Sequence, residues 1–438
     1  MKCFLLSVFA LVCLVEPAGA QERPQAFAGA TIIPISGPAI TDGVLVVHRG
    51  KIVSVGSRSA ARIPSDAQTI DATGKFIMPG LVDSHSHVGS GSGADGSAPI
   101  QPDVRLLDGI NVRHSSIQRA QAGGITTVNV MPGSGHLLSG QTLYLKARDG
   151  RIVDDLLIRD AQGNMLYGIK IANGTNSLRS GAAAGPFSGT RGKSAALVRE
   201  QFVKAQEYRE KVRRAGNDSS KLPPRDLGLE QLVNILDRRL IVHHHTHRHD
   251  DIMTVLRLQK EFGFRVVLHH VSEGYKVADE IARAGVGSSI IIIDSPGGKL
   301  ETKDFSMANG AALERAGALF GFHTDDYITD SRLFLRSAAL AVRNGMSRDR
   351  ALNAMTLANA RLLDLQDRVG SLETGKDADF IILSGDPLSV YTHVLETYVE
   401  GQRVFNRADP ADRLYATGGY GAARDESVHF TCYQGEDY

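Results

Sequence analysis

The sequence predicts an α/β protein in which a (β/α)8 barrel is joined to a small β-sandwich built from both chain ends. From residue 81 to about residue 363, short segments rich in β-branched residues alternate with amphipathic segments of helical period. This pattern is typical of a parallel sheet covered by helices. The span is close to the about 250 residues of a typical (β/α)8 barrel. A doubly wound open sheet is the alternative, but no glycine-rich dinucleotide motif follows the first strand.

The first 20 residues read as a secretory signal peptide rather than as part of the fold. Lys2 precedes an apolar run over residues 4–15, and residues 18–20 form a small-residue cleavage site. The run is shorter than the about 20 residues of a membrane span, so we expect an exported protein, periplasmic or secreted, without stable membrane association. Of the three cysteines, only Cys432 lies outside this segment. We therefore expect no disulfide within the mature chain.

Both flanks of the barrel read as short strands. They cover residues 31–33, 43–47, 51–55 and 76–78 before the barrel, and residues 380–383, 394–399 and 403–405 after it. We assign residues 21–78 and 371–406 to one composite β-sandwich and residues 79–370 to the barrel. Residues 407–438 are rich in Gly, Tyr and charge without a period, and we expect an irregular extension there.

Inside the barrel region, predicted strands and helices alternate. The strands cover residues 125–130, 166–171, 240–245, 265–270, 289–294 and 318–323, and the helices cover residues 194–213, 250–262, 275–284 and 331–344. Barrel enzymes place their reactive groups where the strands end. Polar residues at the carboxyl ends of these strands are therefore the candidate functional residues.

Composition narrows the range of partners. The chain of 438 residues is 42% hydrophobic and 22% charged, with a formal net charge of +1, and it has no Trp. This charge balance argues against nucleic acid as a partner, and the low aromatic content argues against a platform on which bases stack. We expect a small-molecule substrate, and homo-oligomer formation is left open.

The first barrel strand ends in a pair of histidines. Alternate residues of a strand point to one face, so His85 and His87 project together. Two imidazoles on one face suit a borderline cation such as Zn2+. Taken alone, the pair is better explained as two solvent-exposed histidines in a loop, because His-x-His often occurs by chance.

Further ligand-type residues gather at later strand ends. Residues 243–249 contain five histidines in seven positions, His269 and His270 end the next strand, and Asp325 follows a later one. A metal-buffering or merely polar loop would explain the histidine run by itself. All of these strand ends fall where a barrel collects its reactive groups, and this coincidence favours a single metal centre.

Lys170 lies alone in an apolar predicted strand. Burial lowers the pKa of a lysine, and a neutral amine can add CO2 to form a carbamate that bridges two metal ions. A lysine that extends to solvent or pairs with an acid is the alternative.

These motifs resemble those of the amidohydrolase superfamily, and within it the imidazolonepropionase-related and prolidase-like branch. The resemblance rests on residues 76–87, on His245 with the acidic pair that follows it, on residues 268–273, on Asp325, and on residues 370–379, which resemble the family's return to its β-sandwich. It covers essentially the whole mature chain.

The resemblance implies a divalent metal centre, with Zn2+ as the expected metal and one or two ions. The implied ligands are His85, His87, Lys170, His245, His270 and Asp325. Lys170 resembles the carbamate-forming lysine of two-metal members. His245 is favoured over His243 because it lies nearer the end of its strand. Asp325 is expected to act as general base and then general acid in hydrolysis by metal-activated water.

Other residues are candidates for contact with the substrate. They are His136 after the second strand, His247 in the histidine run and Asp294 at the end of the seventh strand. Tyr144 and Arg179 are weaker candidates, for which a core tyrosine and a solvated arginine are the ordinary interpretations.

The expected reaction is hydrolysis of an amide or related C–N bond. Export favours dipeptides or N-acyl amino acids as substrates. The same scaffold would equally serve a cyclic-amide or imidazolone hydrolase, a deaminase, a lactonase or a phosphotriesterase, since substrate-binding loops decide. A periplasmic metal-binding protein that uses the histidine run is the alternative of a different class, and an inactive relative is disfavoured by the presence of Asp325.

Overall fold

The computed structural model describes residues 23–89, 95–179, 187–292, 299–326 and 328–418, and it has a mixed α/β fold. The predicted signal peptide over residues 1–20 and the candidate Asp294 lie outside the described residues. No helix within the described ranges is long and apolar enough to cross a membrane.

Strands and helices alternate through most of the described chain. The strands are β1 Gln25–Ile32, β2 Ile40–His48, β3 Lys51–Ser57, β4 Gln68–Asp71, β5 Phe76–Pro79, β6 Leu81–Ser86, β7 Ile125–Val130, β8 Leu138–Gln141, β9 Leu143–Lys146, β10 Ile169–Ala172, β11 Ile241–Thr246, β12 Arg265–His270, β13 Gly287–Ile290, β14 Phe320–Phe322, β15 Phe380–Leu383, β16 Val394–Val399 and β17 Gln402–Asn406. The α-helices are α1 Ser115–Ala122, α2 Arg191–Ala215, α3 Leu227–Leu236, α4 His249–Phe262, α5 Ala278–Ala284, α6 Asn309–Arg315, α7 Phe334–Arg343, α8 Arg348–Ala354, α9 Leu357–Leu362 and α10 Pro410–Thr417.

Both chain ends contribute to one sheet. Its strand order is β17-β16-β15-β5-β1-β2-β3, with β4 paired to β1. The two ends meet in the antiparallel pair of β5 and β15, where Met78 lies opposite Ile381. Phe27 of β1 packs edge-on against Phe380 and Tyr398 at centroid distances of 5.0 and 5.3 Å. The chain ends therefore share a core, and the closure of this sheet into a β-sandwich stays a prediction.

The strands between the chain ends form two further sheets, β14-β13-β12-β11-β10-β8 and β6-β7-β9. Neighbours from β10 to β14 are parallel, and so are β6 and β7. The consecutive strands β8 and β9 run antiparallel to β10 and β7 respectively. This single stretch of chain therefore connects the two sheets, an arrangement that the alternation of strands and helices does not predict.

The other edges of these two sheets meet where β6 lies beside β14. Asn359 of α9 donates from Nδ2 to the carbonyl oxygen of Val82 at 2.5 Å and to that of Phe322 at 2.6 Å. The Asp325 amide donates to the His85 carbonyl at 2.9 Å. No strand pairing joins β6 to β14 within the described ranges. The α/β fold agrees with the sequence, and the closed (β/α)8 barrel stays a prediction.

Local features of the sequence fix the ends of these elements. The Thr190 side chain accepts the Lys193 amide at 3.2 Å and so begins α2. Gly263 ends α4 with a φ of 73°, a conformation that glycine adopts without a steric penalty. β6, β7 and β11 are buried along their whole length, as expected for parallel strands covered on both faces.

A buried ionic group, here called the junction cluster, connects β9 to the chain just before β15. It consists of Lys146, Asp377 and Asp379, with Lys146 Nζ 2.9 Å from Asp377 and 2.7 Å from Asp379. Lys51 and Arg368 contact Asp377 at 2.6 and 3.1 Å. Burial alone would raise the pKa of Asp377, but Lys146 and these cations hold it below its usual range. Burial raises the pKa of Asp379 despite Lys146.

The start of the predicted irregular tail is helical, which corrects the expectation for residues 407–438. α10 covers Pro410–Thr417. Asp409 accepts the Ala411 amide at 2.8 Å, and Pro410 occupies the first turn, where a missing N–H costs nothing. The Asp412 carboxylate also accepts the Asn406 amide at 2.8 Å. This helix is too short to show a hydrophobic period in the sequence, and its start is defined by the Asp409 cap.

Candidate metal centre

His85 and His87 lie buried at the carboxyl end of β6. The His87 Nδ1 donates to the Met131 carbonyl at 2.8 Å. A carbonyl only accepts hydrogen bonds, so Nε2 keeps a lone pair directed away from Met131. His85 Nδ1 has no hydrogen-bond partner in the described part of the chain. Both rings therefore offer nitrogen atoms suited to a cation.

Asp325, just beyond β14, brings its carboxylate to this pair. Its Oδ1 lies 3.0 Å from His87 Nε2 and 3.4 Å from His85 Nε2, and its Oδ2 lies 3.8 Å from His270 Nδ1. Burial would raise the pKa of Asp325, but the His87 ring beside it and the nearby His323 and Lys170 hold it below the usual range. The carboxylate is therefore ionised at neutral pH.

A second group of imidazoles lies where β11 and β12 end. The ring centroids of His245 and His270 are 4.4 Å apart, and those of His245 and His247 are 4.7 Å apart. One ligand atom from each of the three lies within 4.8 Å of the others, and the same holds for His85, His87 and Asp325.

The backbone at His270 explains how two adjacent histidines face one site. Strand alternation would direct His269 and His270 to opposite faces, yet both rings lie 4.9 Å from that of His85. The φ of His270 is 69° and that of Val271 is 49°. These left-handed values, uncommon for residues with a Cβ, end the alternation and turn His270 into the centre.

Lys170 lies beside His85 of the first ligand group. It is fully buried in β10, and its Nζ is 3.1 Å from His85 Nε2 and 3.5 Å from Met131 Sδ. The side chain reaches the metal centre rather than solvent, so the alternative of a lysine that extends to solvent is wrong.

The donor set fits a divalent metal. Among the histidines of the two ligand groups, nitrogen atoms without a hydrogen-bond partner in the described part of the chain include His85 Nδ1, both ring nitrogens of His245, His247 Nε2 and His270 Nε2. A buried polar atom left unpaired costs about 1–3 kcal/mol, so this grouping is expensive without a ligand. Burial lowers the pKa of all four imidazoles well below the usual value, which keeps them neutral. Neutral imidazole and carboxylate are ligands of Zn2+.

A sequence model of the amidohydrolase family matches residues 76–408. The chain belongs to this family. An amidohydrolase structure from Thermotoga maritima covers 87% of this chain and 100% of that chain, with 33% identity and a TM-score of 0.80. Amidohydrolase tasK from Hapsidospora irregularis is 26% identical over 83% of this chain, which spans only 40% of that protein. An imidazolonepropionase from Rhizobium rhizogenes is 26% identical over 83% of this chain and 92% of its own length.

The superfamily is thus confirmed, and the similarity to an imidazolonepropionase agrees with the predicted branch. This amidohydrolase is a metal-dependent hydrolase that acts on carbon–nitrogen bonds. Its superfamily uses divalent metal, and the clusters around His85 and His270 provide a site for it. The identity of the metal, the substrate and the roles of individual residues stay predictions.

The amidohydrolase centre contains one histidine that the sequence argument missed. His323 lies just beyond β14. Its Nδ1 is 2.8 Å from Ser289 Oγ, and its Nε2 is 3.1 Å from His270 Nδ1. Its ligand atom also groups with those of His85 and His270 within 4.8 Å. Burial lowers the pKa of His323 to about 3. Its place at a strand end, the criterion applied to the other strands, was the available signal.

Two histidines of the amidohydrolase lie inside the sheets but outside these clusters. His243 Nδ1 is 3.0 Å from His269 Nε2, and its Nε2 is 2.8 Å from the Tyr144 hydroxyl. Tyr144 is therefore a core residue that supports His243 rather than a residue facing substrate. The structure places His245, and not His243, beside His270.

Two further candidates, His136 and Arg179, are associated with the loop that follows β7. Leu137, next to His136, accepts the Ala172 amide at 3.0 Å, which places His136 at the carboxyl end of β10. Burial lowers the pKa of His136 to about 4. Arg179 donates to the Gly135 carbonyl at 2.8 Å and so fixes the same loop.

Proposed function

We propose that this amidohydrolase cleaves the amide bond of a dipeptide or an N-acyl amino acid with metal-activated water. The position of Asp325 is the observation that supports this most. Its carboxylate lies within 3.0–3.8 Å of histidines from both ligand groups. It is therefore placed to hold a metal and to handle a proton at the same point.

The residues divide the chemistry between them. When bound, a divalent cation lowers the pKa of water and polarises the substrate carbonyl. The ionised Asp325 accepts the proton of the attacking water and passes it to the leaving nitrogen. His85, His87, His245 and His270 would hold the metal, and Lys170 would be a further ligand once its amine has added CO2 to form a carbamate. The buried position of Lys170, with Nζ 3.1 Å from His85 Nε2, supports this role.

Lys299 supports a substrate with a free carboxylate. It precedes a 3-10 turn over Leu300–Thr302. Its positive charge contributes to lowering the pKa of both His245 and His247, so the ammonium lies near the second ligand group. Glu301 is engaged elsewhere, since it accepts the Thr175 amide at 2.8 Å. We propose that Lys299 binds the carboxylate of an amino-acid leaving group.

Hydrolysis by the purified, Zn2+-loaded protein tests the proposal. Dipeptides and N-acetyl amino acids should be cleaved faster than the same compounds with an amidated carboxyl group. Lys299→Met should raise KM for the free acids by roughly 10–100-fold, the value of a hydrogen bond to a charged group, and leave the amides unaffected. Lys303→Met, an exposed neighbour, is the matched control. Equal rates on acids and amides, unchanged by Lys299→Met, would contradict the assignment of the substrate.

Cyclic-amide hydrolysis is the second candidate. The similarity to an imidazolonepropionase over 92% of that protein favours it. The same assay with imidazolone and hydantoin-type rings, together with lactones, adenosine-type amines and phosphotriesters, separates these functions.

Export is proposed from the leader-like residues 1–20 alone, and N-terminal sequencing of the protein from its native cell would test cleavage after Ala20.

A further inference from the structure

His247 has the features of a metal ligand although it lies outside the predicted ligand set. It follows His245 by two residues at the end of β11, so the two side chains share a face. The register of β11 and β12 places Thr246 opposite His270. The ring of His270, turned by its left-handed backbone, lies beside those of both His245 and His247.

The contacts of His247 leave one nitrogen for a ligand. Its Nδ1 lies 2.7 Å from the Ser272 hydroxyl, while its Nε2 is buried and has no hydrogen-bond partner within the described ranges. Histidines that bind metals commonly donate their other nitrogen to such a partner, which fixes the tautomer and the ring plane. The His247 ring also stacks on that of His270, with centroids 4.8 Å apart.

We propose that His247 is the third imidazole ligand of a second cation, held together with His245 and His270. The mutual distance of at most 4.8 Å between their ligand atoms supports this site. The inference rests on the proposed metal centre and adds a ligand to it. It removes His247 from the residues that contact substrate, because its free nitrogen is occupied by the ion.

Metal content, measured without any assay of activity, tests this inference. Metal-free protein is titrated with Zn2+ by calorimetry, and bound zinc is counted after dialysis by plasma mass spectrometry. The wild-type protein should bind two ions per chain. His247→Ala should bind the first ion normally and the second at least about 100-fold more weakly, a larger loss than the 10–100-fold of an outer partner. His249→Ala is the matched control, since His249 is paired with Glu273 at 2.6 Å.

A second variant covers the case in which His247→Ala does not fold. Ser272→Ala keeps every ligand and removes only the hydroxyl at His247 Nδ1, so it should weaken the second ion by about 10–100-fold. Unchanged affinity for two ions in both variants, or a wild-type protein that binds a single ion, would overturn the inference. A wild-type protein that binds no metal and hydrolyses nothing would instead overturn the proposed function.

Discussion

The junction cluster and the metal centre are both buried and polar, yet they are built in opposite ways. In the junction cluster, Lys146 contacts both Asp377 and Asp379, and further cations reach Asp377. In the metal centre, neutral imidazoles lie against one another with nitrogens that lack partners, as at His245.

This difference implies that the junction cluster contributes mainly to stability and the metal centre mainly to function. Removing one partner of a buried ion pair leaves an uncompensated charge, so a substitution in the junction cluster should lower the free energy of unfolding. Unpaired buried nitrogens destabilise the folded chain when no ligand is bound. A cation that binds them removes this destabilisation, which favours binding. Variants in one cluster should therefore change unfolding, and variants in the other should change turnover and metal response.

The largest effect is expected from Asp325→Asn. The amide cannot accept the proton of the attacking water, so kcat should fall by roughly 10²–10⁴-fold, the usual contribution of a general base. The measurement is steady-state kinetics on the best substrate, with Asp364→Asn, which pairs with Arg265 far from the ligands, as the control. Unchanged turnover in Asp325→Asn would rule out the proposed proton transfer.

Lys146→Met tests the other half of the comparison. It leaves two acids of the junction cluster without their buried cation, and should lower the free energy of unfolding by about 3–5 kcal/mol. Denaturant titration measures the loss, and zinc stoichiometry should stay that of the wild type. Lys51→Met is the matched control, because the Lys51 side chain is 53% exposed and an exposed pair is worth about 0–1 kcal/mol. A similar loss in both variants would show that burial is not the cause.

Removal of metal should destabilise only through the metal centre. Free Zn2+ at about 100–1,000 times its Kd stabilises the folded chain by about 2.7–4.1 kcal/mol, so Tm should rise when zinc is added to chelated protein. His85→Ala should abolish most of this rise, whereas the exposed His393→Ala should keep it. A wild-type protein whose Tm is the same with chelator and with zinc would argue against a metal centre at these residues.

The pH dependence of stability should have opposite signs at the two acids of the junction cluster. The folded pKa of Asp377 lies below its unfolded value of about 3.9, so its contribution is complete above that pH and is lost as the pH falls further. The folded pKa of Asp379 is raised, so its contribution is lost as the pH rises through the folded value. Denaturation between about pH 2 and 6 should show a flatter acid limb for Asp377→Asn and a steeper one for Asp379→Asn. Parallel profiles would contradict this assignment.

Local pattern was enough to predict the elements that position the ligands. β12 covers Arg265–His270 as predicted, and β11 begins one residue later than predicted. Their β-branched runs and terminal histidines are features of neighbouring residues, which a sequence displays directly. The resemblance to the amidohydrolase family added Asp325 to the predicted ligands. Its contacts are with residues that are distant in the sequence.

The remaining features depend on contacts between distant residues. The antiparallel stretch of β8 and β9 is defined by the strands on either side of it. Asn359 connects β6 to β14 through its amide, and no period reveals such a contact. The inward turn of His270 contradicts strand alternation, and only its backbone angle explains it.

The hydrogen bond from the Asp325 amide to the His85 carbonyl gives the metal centre a place in the order of folding. It joins the first strand of the catalytic region to the last, so the ligands contributed by residues 85 and 325 meet only after about three quarters of the 438 residues have been synthesised. A truncated chain that stops before β14 lacks both the bond and the carboxylate. The site that includes Asp325 is therefore completed late, and an ion held by both His85 and Asp325 marks a chain in which these two strands have met.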